Sequence, residues 1–127
     1  MPIVDHNDLP ETPWRPNYHK WEITRPGDGT TSSSLAVSDV GAGTGAPLHT
    51  HTADELITIL DGTLEVRLGD EAHEVGPWHT LVIPPNVPHG FKCVGPGSAR
   101  ILVYFPIPDP FDHTTFLEGE PPEAHRD

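Results

Sequence analysis

The chain has 127 residues, a length that fits one domain with a modest core and leaves no room for a second enzymatic module. Seven Lys and Arg against 19 Asp and Glu give a formal net charge of -12, which argues against a nucleic-acid backbone or an anionic membrane as partner. One cysteine, Cys93, excludes an internal disulfide framework and fits a reducing compartment; with no apolar run of membrane-spanning length and no basic or hydrophobic leader in Met1–Asp8, the expected location is the cytoplasm.

Pro2, Pro10, Pro13 and Pro16 forbid a long helix near the start and predict an extended arm, with Trp14 and Trp21 as its anchors. Tyr18 to Thr24 is expected as a first strand. Pro26-Gly27-Asp28-Gly29 reads as a turn and Ser33 to Val40 as a second strand. Residues 1–32 are therefore taken as an N-terminal arm with its strand, 33–105 as the core, and 106–127 as a Pro-rich acidic tail, one domain in all. In the core, Leu56 to Leu60 and Thr63 to Leu68 flank Asp61-Gly62 and are expected to form a hairpin, because Leu64, Val66 and Leu68 alternate with Glu65 and Arg67. Glu71 to Val75, Thr80 to Ile83, Gly90 to Val94 and Ala99 to Phe105 read as further short strands. Short strands without helical periodicity indicate an all-β sandwich or barrel. In the tail, Phe111, Phe116 and Leu117 are expected to pack on the core, and the acidic end to fray.

The chemistry concentrates between Gly43 and Gly62. Side chains two apart on a strand share a face, so His49 and His51 project together, and Glu55 follows after a span in which the chain can turn. His89, in Ile83-Pro84-Pro85-Asn86-Val87-Pro88-His89, offers a third imidazole. Three imidazoles and one carboxylate suit one divalent transition metal per chain, Fe, Mn, Ni, Co, Cu or Zn, over Ca or Mg, which prefer oxygen-only shells.

The spacing of Gly43, His49, His51, Glu55 and Gly62 meets in full the first motif of the cupin superfamily, and the chain resembles a small single-domain cupin over roughly residues 33 to 105. The second motif is met in part by Pro84, Pro85, Val87, Pro88 and His89. Asn86 stands where the family has glycine, Cys93 where it has asparagine, and Trp78 where a glycine is expected six residues before Pro84. The resemblance implies a cupin β-barrel of six to eleven strands, the double-stranded β-helix or jelly roll, with Pro-rich arms at both ends. It also implies that His49, His51, Glu55 and His89 hold the metal. Cupins with this shell include dioxygenases acting on enolisable or aromatic compounds, and also isomerases, decarboxylases and cyclases. Others bind small ligands without turnover. A dioxygenase-type oxidoreductase is the leading expectation; a non-oxidative isomerase, lyase or cyclase and a non-catalytic ligand-binding cupin are the alternatives. Small cupins commonly dimerise, and the Pro-rich arms with Trp14 and Trp21 suit a homodimer.

Four ligands on a six-coordinate metal leave two positions for a small-molecule substrate, with Glu55 as both ligand and catalytic base. Alternation from Glu55 gives Ile57 and Ile59 as pocket walls, and alternation from His89 gives Phe91 and Cys93. The closing strand offers either Ile101, Val103 and Phe105 or Leu102 and Tyr104. Such a pocket is largely apolar. Lys92 and Arg100 are the only basic residues in the second half of the barrel, so a multiply anionic substrate is disfavoured and a neutral or singly charged aromatic or enolisable one is favoured.

Overall fold

A computed structural model describes residues 2–25, 27–29 and 32–125. Among the described residues eleven strands run in chain order: β1 (Thr12–Arg15), β2 (Tyr18–Glu22), β3 (Ser34–Val40), β4 (Gly45–His51), β5 (Glu55–Asp61), β6 (Leu64–Leu68), β7 (Glu71–Val75), β8 (Thr80–Ile83), β9 (His89–Cys93), β10 (Ala99–Phe105) and β11 (Thr114–Phe116). They form two antiparallel sheets, one ordered β1-β2-β3-β10-β5-β8 and the other β11-β4-β9-β6-β7. The sheets face each other as a jelly roll, with the metal-type residues and the core between them. No helix among the described residues is long and apolar enough to cross a membrane.

Alternation decides which side chains enter the space between the sheets. On β5, Ile57 and Ile59 are buried between half-exposed Leu56, Thr58 and Leu60; on β6, Leu64 and Val66 alternate with exposed Glu65 and Arg67. β10 turns Ile101, Val103 and Phe105 inward and leaves Leu102 and Tyr104 on the outer face. The inward positions at one end of β3 are small, Ser34, Ala36 and Ser38, before buried Val40 joins the core. Where Ile57, Ile59, Leu64, Val66, Cys93 and Ile101 close one part of the interior, the small β3 residues leave the other part open.

β5 and β6 do not form the hairpin that their spacing suggests. β5 pairs with β10 and β8, and β6 pairs with β7 and β9, so Asp61-Gly62 carries the chain from one sheet to the other. Gly62 makes this corner with φ of 81°, and a Cβ there would lie 2.6 Å from Cα of Ala99. A crossing keeps both apolar rows facing the same interior from opposite sides, whereas a hairpin would set them side by side on one sheet.

The N-terminal arm is folded onto its own chain. β1 pairs with β2, and buried Trp14 meets Phe111 edge-on with ring centroids 4.9 Å apart. Pro26 of the expected turn lies outside the described residues, while Asp28 closes it by accepting at 2.6 Å from the Arg25 amide. The tail adds strand β11, antiparallel to β4 with Thr114 opposite His51 and Phe116 opposite His49. Leu117 beyond it is 51% exposed. Arg126 and Asp127, the end of the tail, lie outside the described residues.

Candidate metal centre and its cavity

His49 and His51 sit at the end of β4 and His89 at the start of β9, with His49 directly across from His89 in the register of that pair. Gly45 lets these two strands close up, since a Cβ there would collide with the Phe91 carbonyl. Glu55 opens β5 on the opposite sheet. The gap between the sheets thus brings three imidazoles to one carboxylate, all buried, with one ligand atom from each lying within 4.8 Å of the others. Atoms bound at about 2.1 Å from a common centre are at most about 4.2 Å apart, so a contraction of well under one ångström completes a coordination shell.

The hydrogen bonds behind the rings decide which nitrogen faces inward. His49 Nδ1 lies 2.6 Å from the Pro47 carbonyl and His89 Nδ1 2.9 Å from the Val87 carbonyl. A carbonyl only accepts, so both Nδ1 atoms carry the proton. His51 Nδ1 lies 2.7 Å from Thr114 Oγ1, whose own proton goes to the Pro110 carbonyl at 2.7 Å; His51 therefore donates as well. Each neutral ring then presents the lone pair of Nε2 to the centre, the tautomer a metal requires.

Glu55 Oε1 lies 2.8 Å from His89 Nε2 and 3.2 Å from His51 Nε2, and His51 Nε2 makes no hydrogen bond among the described residues. Lone pairs and a carboxylate at these separations repel unless positive charge lies among them. A proton is disfavoured on His49, where burial, reinforced by the neighbouring His89, pushes the pKa down to about 4. Burial alone pushes the Glu55 carboxyl up, and only positive charge shared with the His51 and His89 nitrogens outweighs it and holds the group ionised. An ionised carboxylate, inward-facing neutral nitrogens and an orphaned buried Nε2 fit a divalent transition-metal cation.

His49, His51 and Glu55 border a cavity of about 340 Å³. Its walls are strongly aromatic: Trp14, Tyr18, Phe91, Phe105, Phe111 and Phe116. Val103 also lines it. Ile57, Ile59, Cys93 and Ile101 face the same interior but sit in the closed core, away from the cavity wall. There the Cys93 thiol donates to the Gly97 carbonyl at 3.3 Å. Lys92 is exposed, and Arg100 pairs with Asp39 at 2.8 Å on the outer surface.

The basic residues that do line the cavity come from the N-terminal arm, Arg15 and Lys20. A count confined to the second half of the barrel misses them, although the alternation of Tyr18 and Lys20 on one strand carries the signal. Tyr18 is buried, and burial pushes the phenol pKa up against the opposing influence of Ser38, so it remains protonated. Thr114 was beyond the reach of any spacing argument, since only the pairing of the tail with β4 brings it to His51.

The pattern of the cupin domain family matches residues 36–105. Over 112 residues the chain is 30% identical to protein SchB of Streptomyces halstedii, covering 84% of this chain and 81% of SchB. Among solved structures, it is similar to the polyketide cyclase RemF of Streptomyces resistomycificus, with a TM-score of 0.77 and 24% identity over 94% of this chain and 87% of that one. KdgF from Halomonas sp. superposes with a TM-score of 0.74 at 19% identity, over 86% of this chain and 96% of that one. With more than half its length matched by the domain pattern, and the four-residue group assembled where that pattern lies, the chain belongs to the cupin family.

Proposed function

We propose that the protein is a metal-dependent enzyme that promotes non-oxidative ring closure in an enolisable aromatic compound of the polyketide type. The observation that carries this reading is the juxtaposition of the His49, His51, Glu55 and His89 group with an aromatic-walled cavity of about 340 Å³. The likeness to RemF, a polyketide cyclase, over nearly the whole chain supports it.

When bound by these four residues, a divalent metal supplies Lewis acidity that lowers the pKa of a carbon acid beside a substrate carbonyl. The protein's own groups do the rest. Glu55 accepts the proton from that carbon on its carboxylate. Tyr18, kept protonated by burial, donates a hydrogen bond to a substrate oxygen. Trp14, Phe105, Phe111 and Phe116 stack against the flat substrate, exclude water and hold its reacting carbons together.

The dioxygenase reading uses the same shell and is separated from ring closure by oxygen. Protein purified without affinity metal is assayed for metal content, then reloaded with Zn or Mn and offered aromatic β-diketones under anaerobic and aerobic conditions. Ring closure gives a product that has lost one water and forms equally without O₂. A strict O₂ requirement, with oxygen incorporated into the product, overturns the cyclase reading in favour of the dioxygenase. Full turnover by metal-free protein overturns both.

A further inference from the structure

Lys20 is placed unusually for a lysine. Its neighbours across the sheet are Thr12 on β1 and Ser38 on β3, and its side chain reaches into the cavity rather than out to water. Nζ lies 3.4 Å from the ring centroid of Trp14 and 5.4 Å from that of Phe111. Among the described residues no carboxylate, carbonyl or hydroxyl makes an ion pair or hydrogen bond with it. The charged and titratable groups around it are Glu22 on its own strand, Glu55 from β5, and His125, whose ring stacks on Phe111 at 3.8 Å. A lysine that merely covers apolar surface sends its ammonium to solvent. This one rests on aromatic faces inside a binding cavity with its hydrogen-bond donors unused.

A second polar group in the same wall is also unmatched. Ser34 Oγ, on β3, is buried and makes no hydrogen bond among the described residues. Unpaired polar atoms in a cavity wall are the marks of groups that a ligand satisfies. The otherwise aromatic enclosure therefore carries two sets of polar groups: the Glu55 and histidine group, with Ser34 opposite Phe105 on the same row, and Lys20, held on the faces of Trp14 and Phe111.

We propose that Lys20 binds the carboxylate of an aromatic substrate whose keto-enol end lies at the histidine group, so that the enzyme selects aromatic acids over their neutral analogues. This deepens the function proposed above and rests on it. Burial lowers the Lys20 pKa to about 8, the charges of Glu22 and Glu55 opposing the shift, so a bound anion raises it again and draws a proton onto the amine.

The test compares two probes, 3-hydroxyflavone and its 4′-carboxylate, by calorimetric titration of zinc-loaded protein at pH 7. Wild type is expected to prefer the carboxylate by about tenfold, the size of one charge-assisted hydrogen bond. Lys20→Met abolishes the preference without weakening the neutral probe, and Lys20→Arg restores most of it. At pH 9, binding of the carboxylate by wild type takes up a proton, read from titrations in buffers of different ionisation enthalpy, and Lys20→Met removes that uptake. An unchanged preference in Lys20→Met, or failure of the carboxylate to bind zinc-loaded wild type, overturns the proposal. Zinc content is measured on the same samples: a shell that takes zinc with no probe preference overturns the role of Lys20 alone, and a shell that takes none overturns the function beneath it as well.

Discussion

His51 and Thr114 are 63 positions apart in the chain, yet the imidazole Nδ1 of one and the hydroxyl of the other are joined by a 2.7 Å hydrogen bond. Thr114 in turn donates to the Pro110 carbonyl, so the tail fixes the ring that presents Nε2 to the centre. Thr114→Val keeps the shape and removes the acceptor. The expected result is a 10–100-fold loss of metal affinity, the usual cost of removing a residue that orients a ligand, with about 1–3 kcal/mol of stability lost because a buried N–H is left unpaired. Competition against a chelating dye measures the affinity; Thr114→Ser should stay near wild type. Equal affinity in all three proteins would remove Thr114 from any part in the site.

Replacing the imidazoles has a more direct effect. His49→Ala, His51→Ala and His89→Ala should each lower bound metal well below one equivalent by elemental analysis. Glu55→Gln should retain much of the metal but lose turnover by at least about a hundredfold, as expected when a general base is replaced by a group that cannot take the proton. Metal retained in all three histidine variants would refute the four-residue shell, and full activity in Glu55→Gln would end its role as base.

Two positions where the family pattern has glycine keep the left-handed backbone without it. Trp78 has φ of 65° and is 80% exposed, and Asn86 has φ of 65° with its backbone N–H donating to the His51 carbonyl at 2.7 Å. Asparagine tolerates this region through its short polar side chain; tryptophan does not. Trp78→Gly is expected to stabilise the protein by about 1 kcal/mol, and Asn86→Ala to destabilise it by a similar amount. Urea midpoints at constant m-value decide the matter.

The pH dependence follows from His49. Its pKa in the folded protein is about 4 against an ordinary value of 6.5, so between these values the unfolded chain binds the extra proton. Stability of metal-free protein is therefore intact above pH 6.5 and falls as the pH drops toward 4, by about 3 kcal/mol from this group. Urea unfolding at pH 7 and pH 4 checks it, with His49→Gln expected to flatten the slope. A wild-type slope unchanged by that substitution would show that His49 is not held neutral.

The strands and the pairing of His49 with His51 on one face were legible because both depend on local alternation, while Glu55 and His89 were marked by their place in the family motifs. His49 and His51 share a face by parity alone, and the apolar rows of β5, β6 and β10 are visible in the same way. What parity cannot convey is depth or partnership. Ile57 and Glu55 point to the same side, but one meets the closed core and the other the cavity, because the side chains of β3 are small at only one end. The two-residue corner at Asp61-Gly62 looks the same whether the next strand turns back on its own sheet or joins the facing one, and long-range pairing with β9 settles it. Lys20 and Thr114 are polar residues in stretches without a motif; only the docking of the arm and the tail gives them neighbours that matter.

The tail has a thermodynamic meaning beyond its hydrogen bond to His51. It is held by pairing of β11 with β4, by the Thr52 amide donating to the His113 carbonyl at 3.0 Å and by the Leu117 amide donating to the Leu48 carbonyl at 2.9 Å, while Phe111 and Phe116 form part of the cavity wall. An ion that needs His51 oriented and a substrate that needs those two rings in place thus draw on one common equilibrium, the docking of residues 109–117. Linkage makes the coupling reciprocal. Whatever free energy metal and substrate gain from the docked tail, they return to it as resistance to detachment, so a loaded protein should guard this segment against proteases and hydrogen exchange as firmly as its core strands.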